Sequence, residues 1–308
     1  MYPILSVILR VCIVLELCSG TAWALQFQRY HSQEEIAAFL REQAQLYPEL
    51  VRFQVLGRSP QGREIAIVSV TKSEAADVPA IYFNGTHHGN EKASTEAILG
   101  LIQNLVQNRD RGDTDRFLRR YKIILQPLVN PDGHALNSRT DAHGADPNRD
   151  YASPSKPESE AFRLVETRLV RDLLNRENVV ASAAFHAGLE AVLWPWCHTP
   201  TLSRDEPQFK ILGEAVARTM NMPKYTQSFF DYQTEGEFID YAYMRFGIYA
   251  LTLEVALEPS PREDQLENVV DRAVLGSMSF LQAIEQLTLK FNKSAALNVR
   301  PLDLRAAL

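Results

Sequence analysis

Cysteine is scarce in this chain of 308 residues: there are three, Cys12, Cys18 and Cys197. The first two lie in an apolar amino-terminal stretch that reads as an export signal, so Cys197 is left alone and an internal disulfide is excluded. A protein without disulfides depends on its core, which fits a bacterial periplasm better than a disulfide-rich extracellular fluid. Basic charge is short as well. Lys and Arg number 32 against 38 Asp and Glu, for a net charge of −6. Residues 1–24 contain one Arg and one Glu, so their removal leaves that balance unchanged. With no basic stripe, nucleic acid is not the expected partner. The apolar segment at residues 4–17 is too short, and too interrupted by Glu16, for a stable membrane span. No internal repeat is visible.

What is present is an ordinary globular composition, 45% hydrophobic and 23% charged, with ample material for a sizeable core. Residues 1–24 hold one basic side chain, Arg10, and end in Ala22-Trp23-Ala24, which resembles a signal cleavage site. Cleavage after Ala24 would make the protein secreted or periplasmic. Ser32-Gln33-Glu34-Glu35 is a capping box opening a helix with Ile36, Phe39, Leu40 and Leu46 on its apolar face, closed by Pro48. Residues 51–56 and 64–70 alternate as strands about the turn Ser59-Pro60-Gln61-Gly62. Further strands are expected at 80–83, 121–125, 179–185 and 248–253, and helices at 91–106, 207–220 and 264–287. Strands alternating with helices imply one α/β domain, residues 25–288, with a parallel or mixed sheet covered on both faces. Residues 289–308 read as a tail.

Chemistry concentrates first in Gly85-Thr86-His87-His88-Gly89-Asn90-Glu91. His88 and Glu91 can meet one metal ion if the chain turns sharply between them, as Gly89 permits. With His186 they make two imidazoles and one carboxylate, a set that suits zinc and leaves a fourth position for water. Taken alone, His-x-x-Glu arises often by chance, and most arginines are ordinary surface charges. What raises the signal is placement: His88, His186 and Glu254 each follow a predicted strand, and open α/β sheets bind ligands beyond the carboxyl ends of their strands. The polar connection at 130–155 is too long to be idle in a compact domain.

Asn130-Pro131-Asp132-Gly133, then Arg139, then Gly144-Ala145-Asp146-Pro147-Asn148-Arg149 complete a pattern that resembles the zinc metallocarboxypeptidases of the carboxypeptidase A/B and N/E kind. The likeness runs from Tyr30 to about Leu287, with no inhibitory propeptide ahead of it. Asn90, where digestive members have Arg, brings it nearer the N/E and bacterial members. The resemblance implies a single α/β domain with a central mixed, eight-stranded sheet flanked by helices. It implies one Zn2+ held by His88, Glu91 and His186, with Glu254 as catalytic base and acid. Arg139 would polarise the scissile carbonyl, and Asn148 and Arg149 would grip the substrate's terminal carboxylate. Tyr232, 22 residues before Glu254, would cap the substrate, and Ile239 falls at the base of the pocket for the departing side chain. Pro147 and Asp150 depart from the residues usual beside Asn-Arg, yet neither removes a functional group.

These roles make chemical sense together. Amide hydrolysis needs a nucleophile at neutral pH, and a bound zinc lowers the pKa of water to about 7. Glu254 can take that proton and return it to the leaving amine. Arg149 offers a planar fork that matches a carboxylate, which an endopeptidase would not need. The expected protein is therefore an exported, monomeric zinc carboxypeptidase acting on peptides with a free carboxy terminus. Its side-chain preference stays open. Ile239 argues against an Asp-based pocket for Lys or Arg, whereas Asp231 and Glu237 near Tyr232 could favour a cationic or zwitterionic end, including the diaminopimelate of cell-wall peptides. Rival readings are an amidohydrolase and a non-catalytic peptide-binding module. Asn84-Gly85-Thr86 matches a glycosylation acceptor, but it adjoins the zinc turn and is too enclosed for a glycan.

Overall fold

The computed structural model describes residues 24–295; the expected signal segment, Ala24 apart, lies outside the described residues, as do residues 296–308. The chain begins with α1 Gln33–Leu46, the hairpin β1 Val51–Arg58 and β2 Glu64–Val70, β3 Ala80–Gly85, α2 Lys92–Gln107, α3 Gly112–Arg120 and β4 Lys122–Gln126. It continues through the short α4 Pro131–Leu136, α5 Val165–Arg176, β5 Val179–His186, β6 Leu189–Trp194, α6 Glu206–Met220 and β7 Lys224–Gln227. It ends with α7 Phe238–Phe246, β8 Tyr249–Ala256 and α8 Glu263–Ala295.

All the strands join one eight-stranded mixed sheet, ordered β1-β2-β4-β3-β5-β8-β6-β7. Strands β4, β3, β5 and β8 run parallel at its centre, between the antiparallel β2 and β6. Every residue of β3 is buried, as a parallel strand with both faces covered requires. Alternate side chains of the central strands feed two cores. Phe83, Phe185 and Leu253 pack with Leu99, Phe209, Val270 and Phe280 from α2, α6 and α8. Tyr82, Ile124 and Ala184 pack on the other side with Val170 and Leu173 of α5 and Phe238 and Tyr241 of α7. From β3 the chain crosses to β4 on one side and later returns to β5 on the other. That reversal opens a crevice at the carboxyl ends of the parallel strands.

The capping box of α1 forms as read: Ser32 Oγ accepts from the Glu35 N–H, and the Glu35 carboxylate accepts from the Ser32 N–H. Gln43, not Leu46, completes its buried face. Helices α3, α5 and α7 are not foreseen from the sequence. The first two are so charged that their few apolar residues, Phe117 and Leu118 or Val170, Leu173 and Leu174, are hard to see as a face. The connection at 130–155 is no plain loop, for it contains α4 and a 3-10 turn, Pro147–Arg149. Helix α8 runs past residue 288 to Ala295.

One buried charge stands out. Glu166, in the first turn of α5, is fully buried and neither carboxylate oxygen has a hydrogen-bond partner. Burial, reinforced by the charges of Asp141 and Asp132, pushes its carboxyl from 4.5 up to about 7. The native state therefore keeps a proton that the unfolded chain has lost. Stability should fall as pH rises from 4.5 to about 7, and the loss persists above that window. Glu166→Gln, isosteric and unable to ionise, is expected to add on the order of 1–2 kcal/mol at pH 8 and little at pH 4.5. Urea unfolding at the two pH values checks this, and equal effects at both would refute it.

Candidate active site

Strand β3 delivers the chain to Thr86, which turns it with a left-handed φ of 61°. Its amide N–H donates to Ser94 Oγ at 3.0 Å, and its hydroxyl lies 2.5 Å from Thr95 Oγ1. The turn expected at Gly89, between His88 and Glu91, follows and is closed by the Glu91 N–H donating to the His88 carbonyl at 3.1 Å. Gly89 is also required sterically: a Cβ there would collide with the backbone of Gly133. The Asn130-Pro131-Asp132-Gly133 segment lies directly on the turn and is pinned to it. Asn130 Nδ2 donates to the His87 carbonyl at 3.2 Å, and its Oδ1 accepts from the Gly133 N–H at 2.8 Å. Buried Asp132 accepts from Ser59 Oγ at 2.7 Å and from Arg63 at 2.8 Å, which ties in the β1-β2 hairpin.

His88, Glu91 and His186 meet at the crevice, all buried, with their ligand atoms within 4.8 Å of one another. Glu91 sits between the rings. Its Oε1 is 2.7 Å from His88 Nδ1 and its Oε2 is 2.9 Å from His186 Nδ1. The Ala187 N–H also donates to Oε2, at 3.2 Å. His186 is the last residue of β5 and pairs in register with Glu254 of β8, so both lie within their strands and not just after them. Two imidazoles and a carboxylate converging in a buried site fit a zinc ion, with both Nδ1 atoms turned towards the Glu91 oxygens.

The field in this site favours positive charge. Burial works against a proton on His88, but Asp146 and Glu91 outweigh it and lift the ring to about 9. Burial alone would raise Glu91, yet His186 and His88 hold it well below the usual carboxylate range. Glu254, partly exposed at the crevice, is pushed well above that range by the protein around it and by the charge of Glu91. His87 is the exception: burial and the neighbouring histidines keep it neutral. It stacks on His186 at 5.6 Å and bonds Tyr151 Oη at 2.8 Å, outside the metal-binding group.

Asp146, given no role from the sequence, links the whole site. Its Oδ1 is 3.1 Å from His88 Nε2 and accepts from the Asn148 N–H at 2.9 Å. Its Oδ2 accepts from Arg139 Nε at 3.1 Å. A carboxylate behind a ligating imidazole fixes the ring's orientation and tautomer. The same contact holds Arg139 near Glu91, 3.7 Å from Oε1. The one hint in the sequence was its place two residues before Asn148 in an Asp-Pro-Asn string. Asp150, an unusual residue at its position, accepts from the Leu164 N–H and Thr167 Oγ1, and so anchors the entry to α5.

The candidate clamp lies next to these groups on the 3-10 turn. Asn148 Oδ1 accepts from the Phe238 N–H at 3.0 Å. Arg149 donates through Nη2 to Tyr232 Oη at 3.1 Å, and its Nη1 faces Glu237 Oε1 at 3.1 Å. Tyr232 stands at the rim, 53% exposed. Ile239 is buried in the second core, so the group that reaches the guanidinium is Glu237 and not Ile239. Glu258, four residues after Glu254, is exposed beyond β8, and Asn84 is fully buried.

The match to the zinc carboxypeptidase family covers residues 36–293. The chain belongs to that family. Carboxypeptidase M of Mus musculus is 26% identical over 279 residues, 79% of this chain and 62% of its own length. Carboxypeptidase B of Helicoverpa zea is 27% identical over 243 residues, 66% of this chain and 56% of its own. This zinc carboxypeptidase chain therefore spans less than two thirds of either relative. Among solved structures, carboxypeptidase A of Helicoverpa armigera superposes with a TM-score of 0.77 at 20% identity, over 86% of this chain and 76% of that one. The metallo-carboxypeptidase of Pseudomonas aeruginosa, solved with (2-guanidinoethylmercapto)succinic acid, gives 0.65 at 20% identity, over 84% and 70%. These likenesses show a shared fold, the single α/β domain with its eight-stranded sheet.

If Asp146 orients His88, Asp146→Asn should weaken zinc binding about 10–100-fold while circular dichroism stays unchanged. Chelator competition reads the constant; an unaltered affinity would remove Asp146 from the metal site.

Proposed function

We propose that the protein is an exported, zinc-dependent carboxypeptidase that releases the last residue of peptides with a free carboxy terminus. One observation carries this reading. Asp146 bonds both His88 of the metal-binding group and the backbone of Asn148 beside Arg149, so a hydrolytic centre and a carboxylate receptor share one rigid link. A receptor for a terminal carboxylate set that close to the centre would leave only the final peptide bond within reach.

In this reading His88, Glu91 and His186 hold the zinc. When bound, zinc supplies Lewis acidity, polarising a carbonyl oxygen and lowering the pKa of a water to about 7. Glu254, in register with His186, takes the proton of the attacking water and delivers it to the departing amine. Arg139, held by Asp146, meets the negative charge that develops on the carbonyl oxygen; removal of one such donor typically costs about 2.7–4 kcal/mol. Arg149 receives the terminal carboxylate with its planar fork, and Tyr232 closes from the rim. A non-catalytic binding module would have lost a metal-binding side chain or Glu254, and none is lost. Export rests on the pattern of residues 1–24. Among the described residues no helix is long and apolar enough to cross a membrane.

Glu254→Gln is expected to leave zinc content intact and to lower kcat/KM on N-acylated dipeptides by about 10²–10⁴-fold. Metal analysis beside steady-state assays tests it, and undiminished turnover would defeat the assignment.

A further inference from the structure

We infer that Glu237 selects substrates whose last residue carries a cationic side chain, an ammonium or a guanidinium. The inference rests on the carboxypeptidase reading above and deepens it. Glu237 is the residue that precedes α7, yet its side chain does not cap the helix. It turns back towards the clamp. Oε1 lies 3.1 Å from Arg149 Nη1 and accepts from the Thr234 hydroxyl, while Oε2 faces the Cys197 thiol at 3.4 Å. The residue is only 6% exposed. A buried anion thus flanks the cation that receives the substrate's carboxylate. The side chain of the last residue leaves the carbon next to that carboxylate, so it must enter the space beside Arg149.

Charge balance decides what fits. Arg149 and Glu237 neutralise each other before substrate arrives. A peptide with an apolar last residue adds one negative charge, and the site is left net negative away from water, which is unfavourable. A cationic last residue adds one charge of each sign. Arg149 then pairs with the carboxylate, Glu237 with the cation, and the site stays neutral. Neighbouring acids are committed elsewhere. Asp240 bonds His198 Nδ1 at 2.7 Å and the Cys197 N–H at 2.9 Å, and Asp231 pairs with Lys224. Ile239 carries no charge, so an acid-based pocket is built here from a position two residues earlier.

The test uses the zinc-loaded full chain and N-acylated dipeptides that differ only in the last residue: Lys, Arg, norleucine or diaminopimelate. Calorimetry of Nα-acetyl-lysine against Nα-acetyl-norleucine supplies a binding measure independent of turnover. Lys or Arg should exceed norleucine in kcat/KM by at least about tenfold, as a charge-assisted contact implies. Glu237→Gln should bring that ratio close to one. Diaminopimelate cleaved faster or slower than Lys assigns the cation to a cell-wall or a protein source, and either result supports the selector if both outrun norleucine. Norleucine cleaved as fast as Lys overturns it. So does a Glu237→Gln protein in which both substrates slow equally, because Glu237 would then only be holding Arg149. If no dipeptide is cleaved, the carboxypeptidase reading fails, and calorimetry still decides: tighter acetyl-lysine supports the selector, equal binding overturns it. Should Glu237→Gln not fold, the comparison on the native protein stands alone.

Discussion

The two oxygens of Glu91, one against His88 and one against His186, set the terms for the rest of the structure. A carboxylate taken out of water demands compensation, and here no lysine or arginine comes close enough to give a tight ion pair: Arg139 stays at 3.7 Å. The demand falls on His88, whose ring Asp146 and Glu91 together lift to about 9. A divalent cation would satisfy the same demand. The site is built around positive charge, and the sheet brings that charge to one point.

That convergence depends on strand order. β3 and β5 are neighbours in the sheet, β8 lies beyond β5, and the crossover on either side of β3 clears a crevice above their carboxyl ends. The residues that fill the crevice are polar and immobilised. Asn130 holds the zinc turn, Asp132 holds the hairpin, Asp146 holds His88, Arg139 and the Asn148 backbone, and Asp150 holds the entry to α5. Each carboxylate has donors facing it, so the buried charge rigidifies the site. Buried Glu166 has none, and its carboxyl rises to about 7.

Much of this is legible in the amino-acid sequence. The outer hairpin, the central strands and helices α1, α2, α6 and α8 follow from apolar periodicity. The separated motifs around residues 88, 130, 148, 186 and 254 carried a family resemblance, and the family match confirmed it. Less was visible where local sequence and final environment disagree. Helices α3 and α5 are too charged to announce a buried face. The left-handed bend fell on Thr86, a β-branched residue held there by Ser94, Thr95 and the Asn130 amide. Gly89 was rightly singled out, but the steric reason lies in Gly133, 44 residues away.

The chain by itself determined what the site is made of: its imidazoles, acids and guanidinium groups, and the strands that end beside them. Covalent order suffices for that, since residue type and period are local properties. Tertiary structure decided which of these groups act on one another. Asp146 is an ordinary acid in the sequence and Glu237 only one of two acids near Tyr232; folding turns one towards His88 and the other towards Arg149. The reason is that electrostatic partnership depends on distance and on exclusion of water, and both are created only when remote segments pack together.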